Sequence, residues 1–238
     1  MTTQAGEAHH GQWDWVERTV WTDRMLEALD KGVKGGVWFS LIDKVYRPQV
    51  LMAAWVQVRG KGRAVGSDHQ SLEQFEEQLT TNLAKLETEL CTGTYRPRPI
   101  RRTFIPKLGS KDKRPLGIPA VRDKVVQTAL KMVIEPIFER EFIDTSHGFR
   151  PGRGCKDALR KVERLMKAGY TWVVDADLKS YFETIRHGRL MMELRQRIAD
   201  SRVLELIESF LKQQILEDLK QWTPEAGSPQ GAVISPLL

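Results

Sequence analysis

Cysteine, histidine and long apolar runs are all scarce in this chain, and each shortage narrows what it can be. Cys91 and Cys155 are the two cysteines, and they show neither metal nor redox spacing. That pattern points to reduced thiols of a cytosolic protein rather than a disulfide framework. The five histidines are scattered, with only His9 and His10 adjacent, in a polar N-terminal tail expected to be disordered. No apolar run approaches the roughly 20 residues that a membrane-spanning helix needs. Residues 1–12 also lack the charged-then-apolar order of a secretory signal. A cytoplasmic location with no membrane partner is the resulting expectation. Internal repeats and low-complexity segments are absent as well.

What the chain does have is bulk, charge and tryptophan. With 238 residues and 41% hydrophobic content it can bury a real core. Its 37 Lys and Arg against 31 Asp and Glu leave a net charge of +6, and a pI near 9.3 points toward a polyanionic partner. The positive charge is concentrated. Arg96, Arg98, Arg101, Arg102, Lys107, Lys111, Lys113 and Arg114 are opposed only by Asp112 between residues 96 and 114. A solvated loop is one reading. A phosphate-contacting surface is favoured because Pro97, Pro99, Pro106 and Pro115 stiffen the same segment. Trp13, Trp15, Trp21, Trp38 and Trp55 crowd residues 13–59, where core packing is favoured over a base-stacking platform.

Hydrophobic periodicity places the elements. Residues 22–30 read as a helix with Met25, Leu26 and Leu29 as its stripe, and residues 38–46 as a compact helix or strand ending before Pro48. The loop at 60–68 is basic and glycine-punctuated, without the framing of a nucleotide P-loop. Ser71 and Gln74 fit a capping box for a helix that carries Leu72, Phe75, Leu79, Leu83, Leu86 and Leu90 to a stop at Gly93. Residues 101–105 read as a strand and 116–119 as a short extended piece. A helix over 123–135 is expected to be interrupted or ended by Pro136. A basic turn over 147–154 precedes a helix over 156–167, striped by Ala158, Leu159, Val162 and Leu165. Residues 170–177, aromatic and β-branched and then acidic, read as the clearest strand. Helices over 188–198 and 203–214 lead to a turn-rich end. Helix pairs with few, separated strands indicate an α+β domain.

Chemistry concentrates in four stretches. On a strand, Asp175 and Asp177 would share one face, because side chains alternate with period two. Carboxylates there could hold divalent metal for nucleotidyl transfer, although Asp-x-Asp alone is also an ordinary solvated strand end. Residues 173–187, Val-Val-Asp-Ala-Asp-Leu-Lys-Ser-Tyr-Phe-Glu-Thr-Ile-Arg-His, resemble the first palm motif of bacterial group II intron reverse transcriptases. Ile105-Pro106-Lys107 with Arg114-Pro115-Leu116-Gly117-Ile118-Pro119 resembles the fingers segment of that family. Ser228-Pro229-Gln230-Gly231, followed by Val233-Ile234-Ser235-Pro236-Leu237-Leu238, resembles its Pro-Gln-Gly motif. His147-Gly148-Phe149-Arg150-Pro151-Gly152-Arg153 matches a further stretch, so the resemblance covers roughly residues 20–238 with several motifs in order.

The resemblance implies an RNA-directed DNA polymerase: right-hand fingers plus a partial palm, helix-rich with a small antiparallel sheet. Residues 1–20 would be a disordered tail, 21–170 an N-terminal extension and fingers, and 171–238 the partial palm. Asp177 would be the catalytic metal ligand, joined by the backbone carbonyl of Leu178, with Asp175 accessory and Mg²⁺ or Mn²⁺ as the metal. Lys107 and Arg114 would grip the triphosphate, Phe182 would exclude a ribose 2′-hydroxyl, and Gln230 and Gly231 would lie near the nucleotide. Arg150 and Arg153 would touch template or primer phosphates, with capping of carbonyls at a bend as an equal rival. Lys111 and Lys113 would be solvated or on template backbone. Glu183 replaces the commoner Asp and keeps its charge. Expected partners are an RNA template or intron RNA, a DNA or RNA primer and dNTPs. The family's aromatic-Ala-Asp-Asp turn is not among these residues, so the remaining metal ligands would come from a missing C-terminal polypeptide. The isolated chain is expected to be inactive. A non-catalytic RNA-binding remnant and a reverse transcriptase with a non-intron role such as defence are the alternatives.

Overall fold

Helices dominate the first half because leucine and other apolar residues recur there at helical steps, and the computed structural model builds them into one core. It describes residues 13–61, 64–106, 109, 111 and 113–238. Residues 1–12 of the tail expected over 1–20, the Gly62-Arg63 part of the basic loop, and Lys107 lie outside the described residues. Trp13, Val16 and Val20 are buried, so residues 13–20 belong to the core. Four short helices follow: α1 (Asp23–Lys31), α2 (Ile42–Val45), α3 (Pro48–Arg59) and α4 (Leu72–Glu77). Pro48 opens α3 at its first position, where a missing N–H costs no helical bond. The Ser71–Gln74 capping box forms as the spacing predicts, with both reciprocal bonds made. Gln78 leaves helical geometry and divides that run into α4 and α5 (Leu79–Thr92). Gly93 ends α5 in the left-handed conformation, at φ 75°. The tryptophans are packing groups: Trp55 stacks on Phe75 at 5.1 Å, and Trp21 meets Trp38 edge-on at 5.2 Å.

Helix α6 (Val121–Glu139) is the spine of the fold and packs along α3. It corrects the expectation that Pro136 interrupts or ends it. Proline removes the N–H that would bond the carbonyl four residues back, leaving the Met132 carbonyl without its helical donor. The buried Trp21 indole N–H donates to that carbonyl at 3.0 Å, so the helix continues through the proline. Thirteen residues of α6 are buried. Buried groups from Trp13 to Ile234 form a single hydrophobic cluster around it.

A small mixed sheet stands beside the helices. Strands β1 (Ile100–Pro106) and β2 (Lys113–Ile118) form an antiparallel hairpin, Ile105 opposite Arg114. After helices α7 (Cys155–Lys167), α8 (Tyr181–Thr184), α9 (His187–Arg195) and α10 (Ser201–Leu211) comes a second hairpin, β3 (Ile215–Glu217) and β4 (Lys220–Trp222). The sheet order is β2-β1-β3-β4, with β1 and β3 parallel through Ile100 and Ile215. The expected α+β, helix-rich architecture with a small sheet holds. One parallel pairing makes the sheet mixed, and the hairpin lies where only turns were expected. Asp200 joins the two halves: one carboxylate oxygen caps α10, and the other accepts the Leu41 and Ile42 N–H groups at 2.6 and 2.9 Å.

Two expectations fail in residues 155–178. Helix α7 forms, but it buries none of its residues, and Leu159, Val162, Leu165 and Met166 face solvent. Residues 170–177 form no strand, and Trp172 and Val174 are 95% and 93% exposed. Aromatic and β-branched residues favour strands because they fit a pleated, half-buried surface. No neighbour among the described residues supplies that surface or a hydrogen-bonding ladder, so the segment stays extended and unpaired.

Candidate nucleotide and nucleic-acid interface

A buried carboxylate sets the base of the β1–β2 hairpin. Asp123 sits in the first turn of α6 with no solvent exposure. It accepts from the Tyr95 hydroxyl at 2.5 Å, the Arg98 backbone N–H at 2.9 Å and the Gln213 amide at 3.2 Å. Burial outweighs these donors and the nearby Arg122, pushing its pKa up to about 6. Burial likewise drives the Tyr95 phenol well above its ordinary value, with Asp123 the next cause. The Gln213 amide also donates to the Arg98 carbonyl. One carboxylate therefore ties the entry to β1, α6 and the end of α10 together.

The basic segment divides into an anchored base and a free tip. Arg98 pairs with Asp68, Arg101 donates to the Val65 carbonyl, and Arg96 binds the Gly93 and Tyr95 carbonyls. Arg102 pairs with Glu217 at 3.4 Å and lies over the Phe104 and Trp222 rings at 5.5 and 5.6 Å. Lys111, Lys113 and Arg114 are exposed, and none of their side chains has an ion pair or hydrogen bond among the described residues. Among the described residues, these are the cations of the hairpin available to a phosphate.

Beside the hairpin lies a cleft of about 310 Å³ lined by Arg102, Pro115, Gly117, Glu183, Trp222 and Gln230, among others. The turn carrying Gln230 is held against β2, whose Gly117 N–H donates to the Gln230 carbonyl at 2.7 Å. Gly231 follows at φ 101°, and a Cβ there would lie 2.6 Å from the Gly117 carbonyl oxygen and 2.7 Å from Leu116 Cδ1. Glycine is therefore required, and the close approach it permits is to the chain's own second strand. Ser235 Oγ donates to the Pro229 carbonyl at 2.9 Å, and Ser228 Oγ donates to Ser235 Oγ at 2.6 Å, closing the turn internally.

Phe182 is brought to this turn by backbone bonds. Ser228 N–H donates to the Phe182 carbonyl at 2.7 Å, and Gly227 N–H donates to the Ile185 carbonyl at 2.8 Å. The Phe182 ring is half-buried, edge-on to Tyr181 at 5.7 Å. Asp175, Asp177 and Leu178 are exposed on the unpaired stretch just before α8, and Ser180 makes the bend between them at φ 54°. No group of three or more His, Cys, Asp or Glu side chains gathers as a metal site among the described residues. Asp177 and Asp175 could contribute to Mg²⁺ binding, but they do not make a two-metal centre by themselves.

Arg150 is committed inside the protein. It is buried, forks onto Glu139 at 2.7 and 3.0 Å, and donates to the Ile143 and Ser146 carbonyls. Its place at the bend is that of a carbonyl-capping group, and no face of its guanidinium is offered to a strand of nucleic acid. Arg153, half-buried, binds the Asp144 carbonyl and carboxylate. Sequence reasoning missed Asp123, which reads as a solvated first-turn acid, and Trp222, which the short hairpin conceals. The signal for Asp123 is its apolar flank, Val121, Val125 and Val126, on a helix buried on most sides.

The family model for reverse transcriptase (RNA-dependent DNA polymerase) matches residues 105–238. Among curated proteins, the chain is 40% identical to Protein YkfC of Escherichia coli K12 over 204 residues, 83% of this chain and 53% of that protein. It is 37% identical to the group II intron-encoded protein LtrA of Lactococcus lactis subsp. cremoris over 222 residues, 91% of this chain and 36% of that protein. The chain thus spans from about a third to a half of these relatives. A chain of a Cas6-RT-Cas1–Cas2 complex shares the fold, with a TM-score of 0.53 and 21% identity over 83% of this chain and 20% of that one.

Proposed function

This chain belongs to the reverse transcriptase family, and on that premise we propose that its 238 residues grip a nucleic-acid strand and an incoming nucleotide without completing catalysis alone. It is homologous over most of its length to group II intron-encoded maturases. The observation that carries the reading is the convergence of three family motifs on one cleft: β2, the Gln230 turn and Phe182-Glu183.

The roles follow from chemistry. Arg114 suits forked contact with triphosphate oxygens, and Lys111 and Lys113 suit template backbone. Lys107 takes the second triphosphate role by its motif position. Gln230 presents an amide to the nucleotide, and Phe182 fills space where a 2′-hydroxyl would sit. RNA template, primer and dNTPs are the proposed partners, in a cytoplasmic setting. No helix of the described residues is long and apolar enough to cross a membrane. Membership of the family implies a metal-dependent reaction. Asp177, with the Leu178 carbonyl and Asp175, would contribute to its metal site, but these residues do not make up the full set of ligands.

A reverse transcriptase serving outside an intron is the second reading. The likeness to a chain of a complex that also contains Cas proteins favours it at the level of fold. Primer extension separates catalysis from grip. With Mg²⁺, an RNA template, a primer and dNTPs, the 238-residue chain is expected to bind RNA with affinity falling as salt rises, and to incorporate no nucleotide. Incorporation lost in Asp177→Ala would contradict the non-catalytic reading. Absence of salt-dependent RNA binding would contradict the grip.

A further inference from the structure

A second cleft, of about 580 Å³, shares no lining residue with the first and lies between the turn at 144–153 and the polar side of α7. Its wall is entirely charged or imidazole. Asp157, Arg160, Lys161 and Arg164 recur at three- and four-residue steps, which puts them on one helix face. The three acids there are already engaged. Arg153 pairs with Asp144 at 3.1 Å, Arg160 with Asp157 at 2.9 Å, and Lys167 with Glu163 at 2.6 Å. Lys161 and Arg164 remain, with no ion pair or hydrogen bond among the described residues. The turn itself contributes His147, whose two ring nitrogens are both shut off from solvent and unpartnered among the described residues.

A buried polar atom without a partner is costly, so an imidazole with both nitrogens unmet marks a place where a polar ligand is wanted. Two uncompensated cations beside it set the sign of that ligand as negative. The apolar residues of α7 point away from this cleft, so the cations are not incidental to a helix docked by its polar face. We propose that this cleft binds a phosphate of a nucleic-acid backbone, held by the Arg164 fork, the Lys161 ammonium and one ring N–H of His147. Arg matches two phosphate oxygens at once, Lys adds a point charge, and a neutral imidazole donates a single bond. The inference rests on the nucleic-acid grip proposed above and extends it from the turn at 144–153 to α7, whose cations none of the motif readings includes.

The test is anisotropy of a fluorescent single-stranded RNA on the full 238-residue chain across a salt series. The Lys161→Ala/Arg164→Ala variant is expected to bind about tenfold more weakly near 0.1 M salt, with a log–log salt slope shallower by about 1.4 for two lost contacts on a single strand. His147→Ala is expected to weaken binding with the slope unchanged, because the donor removed is neutral. Lys156→Ala, exposed on the same helix but outside the cleft, is the comparison and should match the parent chain. Unchanged affinity and slope in the double variant, or an equal loss in Lys156→Ala, would overturn the cleft while leaving the proposed function standing. Failure of the parent chain to bind RNA at any salt would overturn both.

Discussion

Replacing Asp123 with alanine is expected to destabilise the fold by about 3–5 kcal/mol, a large share of the 5–15 kcal/mol a domain of this kind holds in reserve. The substitution strands three donors at once: the Tyr95 hydroxyl, the Arg98 N–H and the Gln213 amide. Each buried, unsatisfied group costs about 1–3 kcal/mol, and the entry to β1 loosens with them. Thermal denaturation should show a fall of roughly 10 °C or more for a chain of this size. A loss of under about 1 kcal/mol would contradict the role given to this carboxylate.

The same group has a pH signature. The folded-state pKa of Asp123 is raised from 3.8 to about 6. A raised acid binds its proton more tightly in the folded state, so its favourable contribution is complete below the ordinary value. It is lost as pH rises from about 4 through about 6. Glu135 is raised by burial in the same direction, whereas Glu141, held down first by its bond from Arg197, and Glu208, held down first by Lys212, lose their contributions as pH falls. The clean readout is therefore the difference between the parent chain and Asp123→Asn. That difference should move against the parent by on the order of 3 kcal/mol between pH 4 and 7. A flat difference would contradict the assignment.

Gly231→Ala is expected to be nearly as damaging, for a different reason. A left-handed residue with a side chain costs about 1–3 kcal/mol in strain before any contact is counted. The new Cβ would also press on the Gly117 carbonyl oxygen at 2.6 Å and on Leu116 at 2.7 Å. Something must shift, and the bond from Gly117 N–H to the Gln230 carbonyl is what holds the turn to β2. A loss of about 3–4 kcal/mol is predicted, with weaker nucleotide and RNA binding because the cleft wall moves. Gly152→Ala is the comparison. Gly152 is at φ 66° but has nothing within 4 Å of a built Cβ, so it should cost only about 1–2 kcal/mol. Equal losses at the two positions would show that backbone strain alone accounts for Gly231.

These residues also mark how far the sequence could be read. Local rules carried their own weight. Ser71 with Gln74 made a capping box, Gly93 ended its helix, and the strand read at 101–105 formed as β1, while its partner begins at Lys113, ahead of the extended piece read at 116–119. Rules that depend on a distant partner did not. Pro136 does not end α6, because an indole 111 residues earlier in the chain satisfies the carbonyl the proline would have orphaned. Residues 170–177 have every strand propensity and no strand, because the surface that would bury Trp172 and Val174 is not among the described residues. The stripe of α7 is exposed for the same reason. Arg150 read equally as a phosphate ligand and as a cap on carbonyls at a bend, and the sequence could not show that Glu139 and two carbonyls engage it. Charge is legible in a sequence. Whether that charge is already engaged is not, and this divides Arg102 from Arg114 within one hairpin.

The central claim is that nucleic acid is held along the free tip of the β1–β2 hairpin, the Gln230 turn and the polar side of α7. Hydrogen–deuterium exchange of the 238-residue chain, with and without a single-stranded RNA, tests it most directly. Slowed exchange on RNA addition at residues 100–118, 147–167 and 228–231 is the predicted result. Protection confined to residues 13–59, or no change anywhere under conditions where RNA is bound, would contradict it.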